Sequence, residues 1–108
     1  MLSRDPIHCL QDREVLIPYL HVVEDCIFYA RHRVAGTAVR PVVFVHGAGG
    51  THLSWPPALR RLPYAMTYLL DLPGHGRSKG EGRKTIEAYA DVLRRFITLL
   101  GLGEAVLI

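Results

Sequence analysis

The sequence predicts an α/β fold in which an antiparallel hairpin leads into a mostly parallel sheet with helices on both faces. Three observations carry this expectation. Two short apolar runs, residues 42–45 and 66–70, each end in a glycine-rich turn. A run of apolar residues at three- and four-residue steps follows the second turn, and a further short apolar run closes the chain. Strands alternating with helices in this way build parallel sheets through right-handed crossovers.

Taken in order, residues 1–14 mix Asp, Arg, Pro and Gln without a usable period and read as an irregular lead-in. Residues 15–23 and 26–32 are rich in β-branched and aromatic residues on either side of Glu24-Asp25, the pattern of a hairpin. Pro18 confines its first strand to an edge, because proline donates nothing to a ladder. Ala35-Gly36-Thr37 reads as a turn. After Pro41, residues 42–45 are apolar on both faces, as a buried parallel strand requires.

Residues 54–62 predict a short helix, with Ser54 as its cap, prolines 56 and 57 in the first turn and Pro63 as its stop. Residues 66–70 are the next strand. Ile86, Tyr89, Ala90, Leu93, Phe96, Ile97 and Leu100 then fall on one helical stripe, with Thr85 placed to cap it and Gly101 to end it. Ala105-Val106-Leu107-Ile108 completes the alternation as a strand.

Composition bounds what such a fold does. The 108 residues are 49% hydrophobic and 21% charged, as in ordinary globular domains, and suffice for a single domain. No apolar run approaches the ~20 residues that span a bilayer, and the first residues lack the apolar stretch of a secretory signal, so the expectation is a cytoplasmic protein without membrane contact. The net charge of +3 arises from dispersed arginines and lysines, which argues for solvated faces and against nucleic-acid binding. Cys9 and Cys26 lack metal-ligand spacing and read as small buried hydrophobes.

The chemistry is concentrated in the two turns. His46-Gly47-Ala48-Gly49-Gly50 and Asp71-Leu72-Pro73-Gly74-His75-Gly76-Arg77-Ser78 both fall at strand carboxyl ends, where open α/β sheets bind ligands. A turn without bulky side chains can aim bare backbone N–H groups at an oxygen that gains charge. A dinucleotide site competes for the first turn, since Gly47 and Gly49 begin G-x-G-x-x-G and Asp71 stands where a ribose-binding acid would; His52, however, occupies the third glycine position. No Gly-Lys-Ser/Thr follows, which argues against a nucleoside-triphosphate loop.

The two turns together, with the elements between them in register, resemble the amino-terminal portion of the alpha/beta hydrolase superfamily over about residues 20–108. That resemblance implies a single, incomplete alpha/beta hydrolase domain spanning residues 1–108, with the nucleophile elbow, G-x-S-x-G at a strand-to-helix turn, beyond Ile108. It implies a hydrolase of ester-like small molecules (carboxylic ester, lactone, thioester or amide) with no metal or organic cofactor. Ala48 would donate one oxyanion N–H, and His46, Gly47, Gly49 and Gly50 would shape its turn. Asp71, Gly74, His75, Gly76, Arg77 and Ser78 would organise the second turn, and Trp55 stands close enough to line a substrate pocket. The catalytic histidine comes late in this family's chain order, so His46 and His75 take structural roles. The alternatives are a non-catalytic relative and an interaction protein; in either case the closing strand would expose an apolar edge through which the chain could self-associate.

Overall fold

The computed structural model describes residues 19–22, 25–33 and 40–108. The expectations for residues 1–18, the hairpin turn at Glu24 and the turn at 35–37 fall outside them. Five strands form one sheet: β1 (Tyr19–Val22), β2 (Asp25–His32), β3 (Pro41–Val45), β4 (Met66–Leu70) and β5 (Val106–Leu107), in the spatial order β1-β2-β4-β3-β5. β1 pairs with β2 and β2 with β4 antiparallel, while β3 lies parallel to both β4 and β5. Asp25, expected in the turn, is the first residue of β2.

Alternation along the central strands divides the core into two layers. Val43, Tyr68, Leu70, Ile27 and Tyr29 face one side and pack with Val92 and Phe96. Val42, Phe44 and Leu69 face the other, where Trp55 and Leu62 pack against them. The Tyr29 ring meets Phe96 edge-on with centroids 5.4 Å apart, and burial raises its phenol pKa above the ordinary 10.0.

The helix of the second layer is shorter than expected. Thr51 caps a single 3-10 turn at His52–Ser54, its hydroxyl accepting from Leu53 N–H at 3.0 Å, and α1 covers only Pro57–Arg60. Prolines 56 and 57 explain the difference. A residue before proline is pushed out of the helical region, so Trp55 (ψ 139°) and Pro56 (ψ 151°) are extended and the helix cannot begin before Pro57. Ser54 therefore accepts from Thr51 N–H at 3.0 Å instead of capping α1.

The long helix α2 (Ile86–Leu99) matches its sequence signals at both ends. Thr85 accepts from Ala88 N–H at 3.0 Å, and the chain leaves the helix in a Schellman arrangement, with Leu102 N–H on Ile97 O at 3.1 Å and Gly101 N–H on Thr98 O at 3.0 Å. The expected stripe packs on the core at Tyr89, Leu93, Phe96, Ile97 and Leu100, joined by Val92, whereas Ile86 at its start is 80% exposed. Asp91 bonds Arg94 and Arg95 on the outer face, and those bonds hold its carboxyl below the usual range.

One expectation about the cysteines is corrected. Cys26 is buried but disulfide-bonded, not a free thiol, and Cys9 lies outside the described residues. No described helix is long and apolar enough to cross a membrane.

The unequal faces of α2 yield a stability contrast. Phe96→Ala should cost about 3–5 kcal/mol by opening a cavity in a fully covered site. Ile86→Ala, on the exposed arc, should cost less than about 0.5 kcal/mol. Urea unfolding of both variants measures the difference.

Candidate functional site

The two glycine-rich turns leave the carboxyl ends of the parallel neighbours β3 and β4, so strand pairing sets them side by side. The first is closed by Gly50 N–H on Gly47 O at 2.9 Å, with Gly49 at φ 78°. This is the type II pattern, in which the third residue needs a positive φ that glycine adopts without strain. Ala48 takes the second position of the turn. Its N–H makes no hydrogen bond to the described residues, whereas Gly49 N–H and Gly50 N–H are both committed.

Two histidines join the turns reciprocally. His46, from the first turn, accepts Leu72 N–H at Nε2 (3.0 Å), while its Nδ1 lies 2.7 Å from Gly47 O. His75, from the second, accepts Gly49 N–H at Nε2 (3.1 Å), with Nδ1 3.0 Å from Pro73 O. In each ring one nitrogen faces a carbonyl and the other faces an N–H. Only the neutral tautomer with the proton on Nδ1 satisfies both. The ring centroids stand 4.9 Å apart.

A third histidine, His52, completes the junction. Asp71 is fully buried, and its carboxylate accepts from His52 N–H (2.6 Å) and from Arg77 N–H (2.9 Å), with His52 Nδ1 2.9 Å from Oδ2. An acid buried behind these donors presents no surface to a ribose, which argues against the dinucleotide reading. Gly76 presses on the same carboxylate, where any Cβ would collide with it. The Arg77 guanidinium lies 5.1 Å from the centre of the Phe28 ring. Gly74 turns the chain at φ 79° against the backbone of Gly82.

The expectation that no G-x-S-x-G lies within these 108 residues is corrected. Gly76-Arg77-Ser78-Lys79-Gly80 is itself a G-x-S-x-G. Its geometry is not that of a nucleophile elbow: Ser78 Oγ donates to Asp71 O and accepts Phe28 N–H at 2.8 Å, and Lys79 N–H continues the pairing to Cys26 O at 2.9 Å. The serine hydroxyl staples the second turn to β2, and no helix follows it directly.

Ala48 and His75 line a cleft of about 310 Å³ together with Val45, Leu72, Ile86, Tyr89 and Leu93. The cleft lies on the α2 side of the sheet. Trp55 is on the other side, its ring 4.9 Å from that of Phe44, and does not line this cleft. β5 runs beside β3, and its ladder continues through Ile108, whose O accepts Val45 N–H at 2.8 Å and whose N–H meets Val43 O at 3.0 Å. The end of β5 is thereby level with the start of the Ala48 turn.

Comparison with known proteins places this geometry. Residues 42–108 match the alpha/beta hydrolase family. A pimeloyl-[acyl-carrier protein] methyl ester esterase of Sodalis glossinidius (strain morsitans) is 38% identical over 60 residues, covering 55% of this chain and 23% of the esterase. Among solved structures, the N-acyl homoserine lactonase AidH in complex with N-butanoyl homoserine superposes with a TM-score of 0.71 at 24% identity, covering 84% of this chain and 34% of the lactonase. Haloalkane dehalogenase DbeA from Bradyrhizobium elkani USDA94 gives 0.69 at 24% identity, covering 84% of this chain and 31% of the dehalogenase. At these identities the structural likeness shows the fold alone. The chain spans about a quarter to a third of each relative's length.

The engagement of Asp71 sets an expected cost. Asp71→Asn replaces one accepting oxygen by an amide that points N–H at N–H, so it should destabilise the chain by about 2 kcal/mol. Denaturant unfolding measures it, and an unchanged midpoint would show that the carboxylate does not hold the turns together.

Proposed function

The chain belongs to the alpha/beta hydrolase family, and from that premise we propose that residues 1–108 supply the oxyanion side of a hydrolase acting on ester-like small molecules. Carboxylic esters, lactones, thioesters and amides share the chemistry, because each passes through a tetrahedral centre bearing a charged oxygen. The observation that carries the reading is Ala48 N–H: uncommitted, on a turn braced by two histidines and a buried carboxylate, at the mouth of an apolar cleft.

In this reading the nucleophile, the triad acid and the catalytic histidine come from a segment beyond residue 108, entering from the end of β5. His46 and His75 have both ring nitrogens engaged by the turns, and His52, held by Asp71 through Nδ1, lines a hollow apart from the cleft beside Ala48, so none of the three takes the part of the general base. The apolar wall receives the acyl part of the substrate, and the esterase and lactonase relatives are consistent with that class. The nucleophile is a Ser, Asp or Cys of the segment beyond residue 108, and the chemistry asks for no metal or organic cofactor: in the serine case the hydroxyl attacks, a histidine takes its proton, and backbone N–H groups hold the oxyanion.

The test removes one hydrogen atom. Position two of a type II turn accepts proline, so Ala48→Pro should keep the fold while deleting the donor. In the polypeptide that carries these residues together with its nucleophile, kcat toward p-nitrophenyl esters should fall ~10²–10³-fold, with far less change in KM. Undiminished kcat in a folded variant would overturn the assignment.

A second reading has its own observation. Among the described residues β5 is the last strand of the sheet, and Val106, Leu107 and Ile108 are 38%, 51% and 52% exposed, an apolar edge that in this 108-residue chain could add a strand from a second copy. Sedimentation of the 108-residue chain should show mass rising with concentration, and Leu107→Lys should restore the monomer. A monomer at every concentration would sink this reading.

A further inference from the structure

On the α1 side of the sheet, away from the Ala48 cleft, a second hollow of about 450 Å³ is lined by Arg31, His32, His52, Arg60 and Arg61 over a floor of Ala30 and Leu69. Its charge is one-sided. The described acids are Asp25, Asp71, Glu81, Glu87, Asp91 and Glu104, and none of them lines it. Asp25 pairs with Arg83, and Asp91 with Arg94 and Arg95. The one carboxylate nearby, Asp71, is wholly buried behind the His52 ring. Arg31, Arg60 and Arg61 make no ion pair with the described residues.

Two of the lining groups are held in place before any ligand arrives. Arg60 donates from Nε to Trp55 O at 2.8 Å, and no described residue takes its terminal nitrogens. His52 is 13% exposed and fixed through Nδ1 by Asp71, 2.9 Å away. Pre-positioned groups lose less freedom on binding than mobile ones. Guanidinium groups match the oxygens of phosphate in geometry, and several converging on one hollow favour a doubly charged group over a single carboxylate.

We propose that this hollow is a binding site for the phosphate group of a small soluble molecule, with Arg60 and Arg61 as its principal ligands. The site is concave and larger than a phosphate ion, so it holds the phosphoryl group together with part of its carrier, whose apolar portion rests on Ala30 and Leu69. A flat anionic membrane surface would meet only the rim. The proposal is independent of the hydrolase reading, because none of these side chains belongs to the cleft beside Ala48.

The experiment follows arginine side-chain N–H signals by NMR while inorganic phosphate is titrated into the full chain against chloride at equal ionic strength. Saturable shifts at Arg60 Nε–H and Arg61 are expected. Arg61→Gln, an exposed position that carries no described structural bond, should weaken binding about tenfold. Arg94→Gln, on the outer face of α2, should leave it unchanged. Shifts that never saturate, that chloride reproduces, or that survive Arg61→Gln would overturn the proposal. So would sedimentation with phosphatidylglycerol vesicles that depends on Arg61 in the absence of saturable phosphate binding, since that would assign the arginines to a lipid surface.

Discussion

The junction between the two glycine-rich turns is the constraint on which the rest of this molecule depends. Each turn alone is a polar loop with few side chains, unable to hold a defined shape. Strand pairing brings them together, and three histidines with one carboxylate then bind across the gap: His46 to Leu72 N–H, His75 to Gly49 N–H, and Asp71 to His52. The exchange is reciprocal, so neither turn can move without breaking a bond that also supports the other. Buried acceptors and donors that are paired in this way are costly to separate, because each partner left behind is desolvated and unsatisfied.

That exchange also determines which backbone N–H of the first turn is left without a partner among the described residues. Gly49 N–H goes to His75 and Gly50 N–H goes to Gly47 O, so in this turn Ala48 N–H remains open beside the cleft. A fixed dipole that needs no reorganisation when charge develops is what the proposed oxyanion role calls for. Asp71 and Ser78 extend the same logic to β2: the serine hydroxyl joins Asp71 O to Phe28 N–H, so the second turn is fastened to strands on both of its sides.

Much of this was legible beforehand, and the physical reasons are particular. The strands at 42–45 and 66–70 stood out because both of their faces are covered, leaving uninterrupted apolar runs. Thr85 and Gly101 marked α2 because capping is local chemistry between neighbours in sequence. The short helix was overextended because two consecutive prolines act on the residues before them, not only after. Val92 was missed and Ile86 overvalued on α2 because periodicity identifies an apolar arc wider than the sheet covers, and only docking selects which part is buried. His52 carried no signal that could have distinguished it, since its partner Asp71 lies nineteen positions away in sequence.

The sequence by itself determined the order of elements, the ends of the long helix and the position of two turns without bulky side chains at strand ends, because these depend on steric and hydrogen-bonding preferences that act over a few residues. Only the tertiary structure decided that His52 joins the turns through Asp71, which groups His46 and His75 bond, that Trp55 packs behind the sheet, and that the G-x-S-x-G at Gly76 to Gly80 is a staple. Those roles depend on which side chains meet across the sheet, and a linear pattern carries no distance between residues brought together by folding.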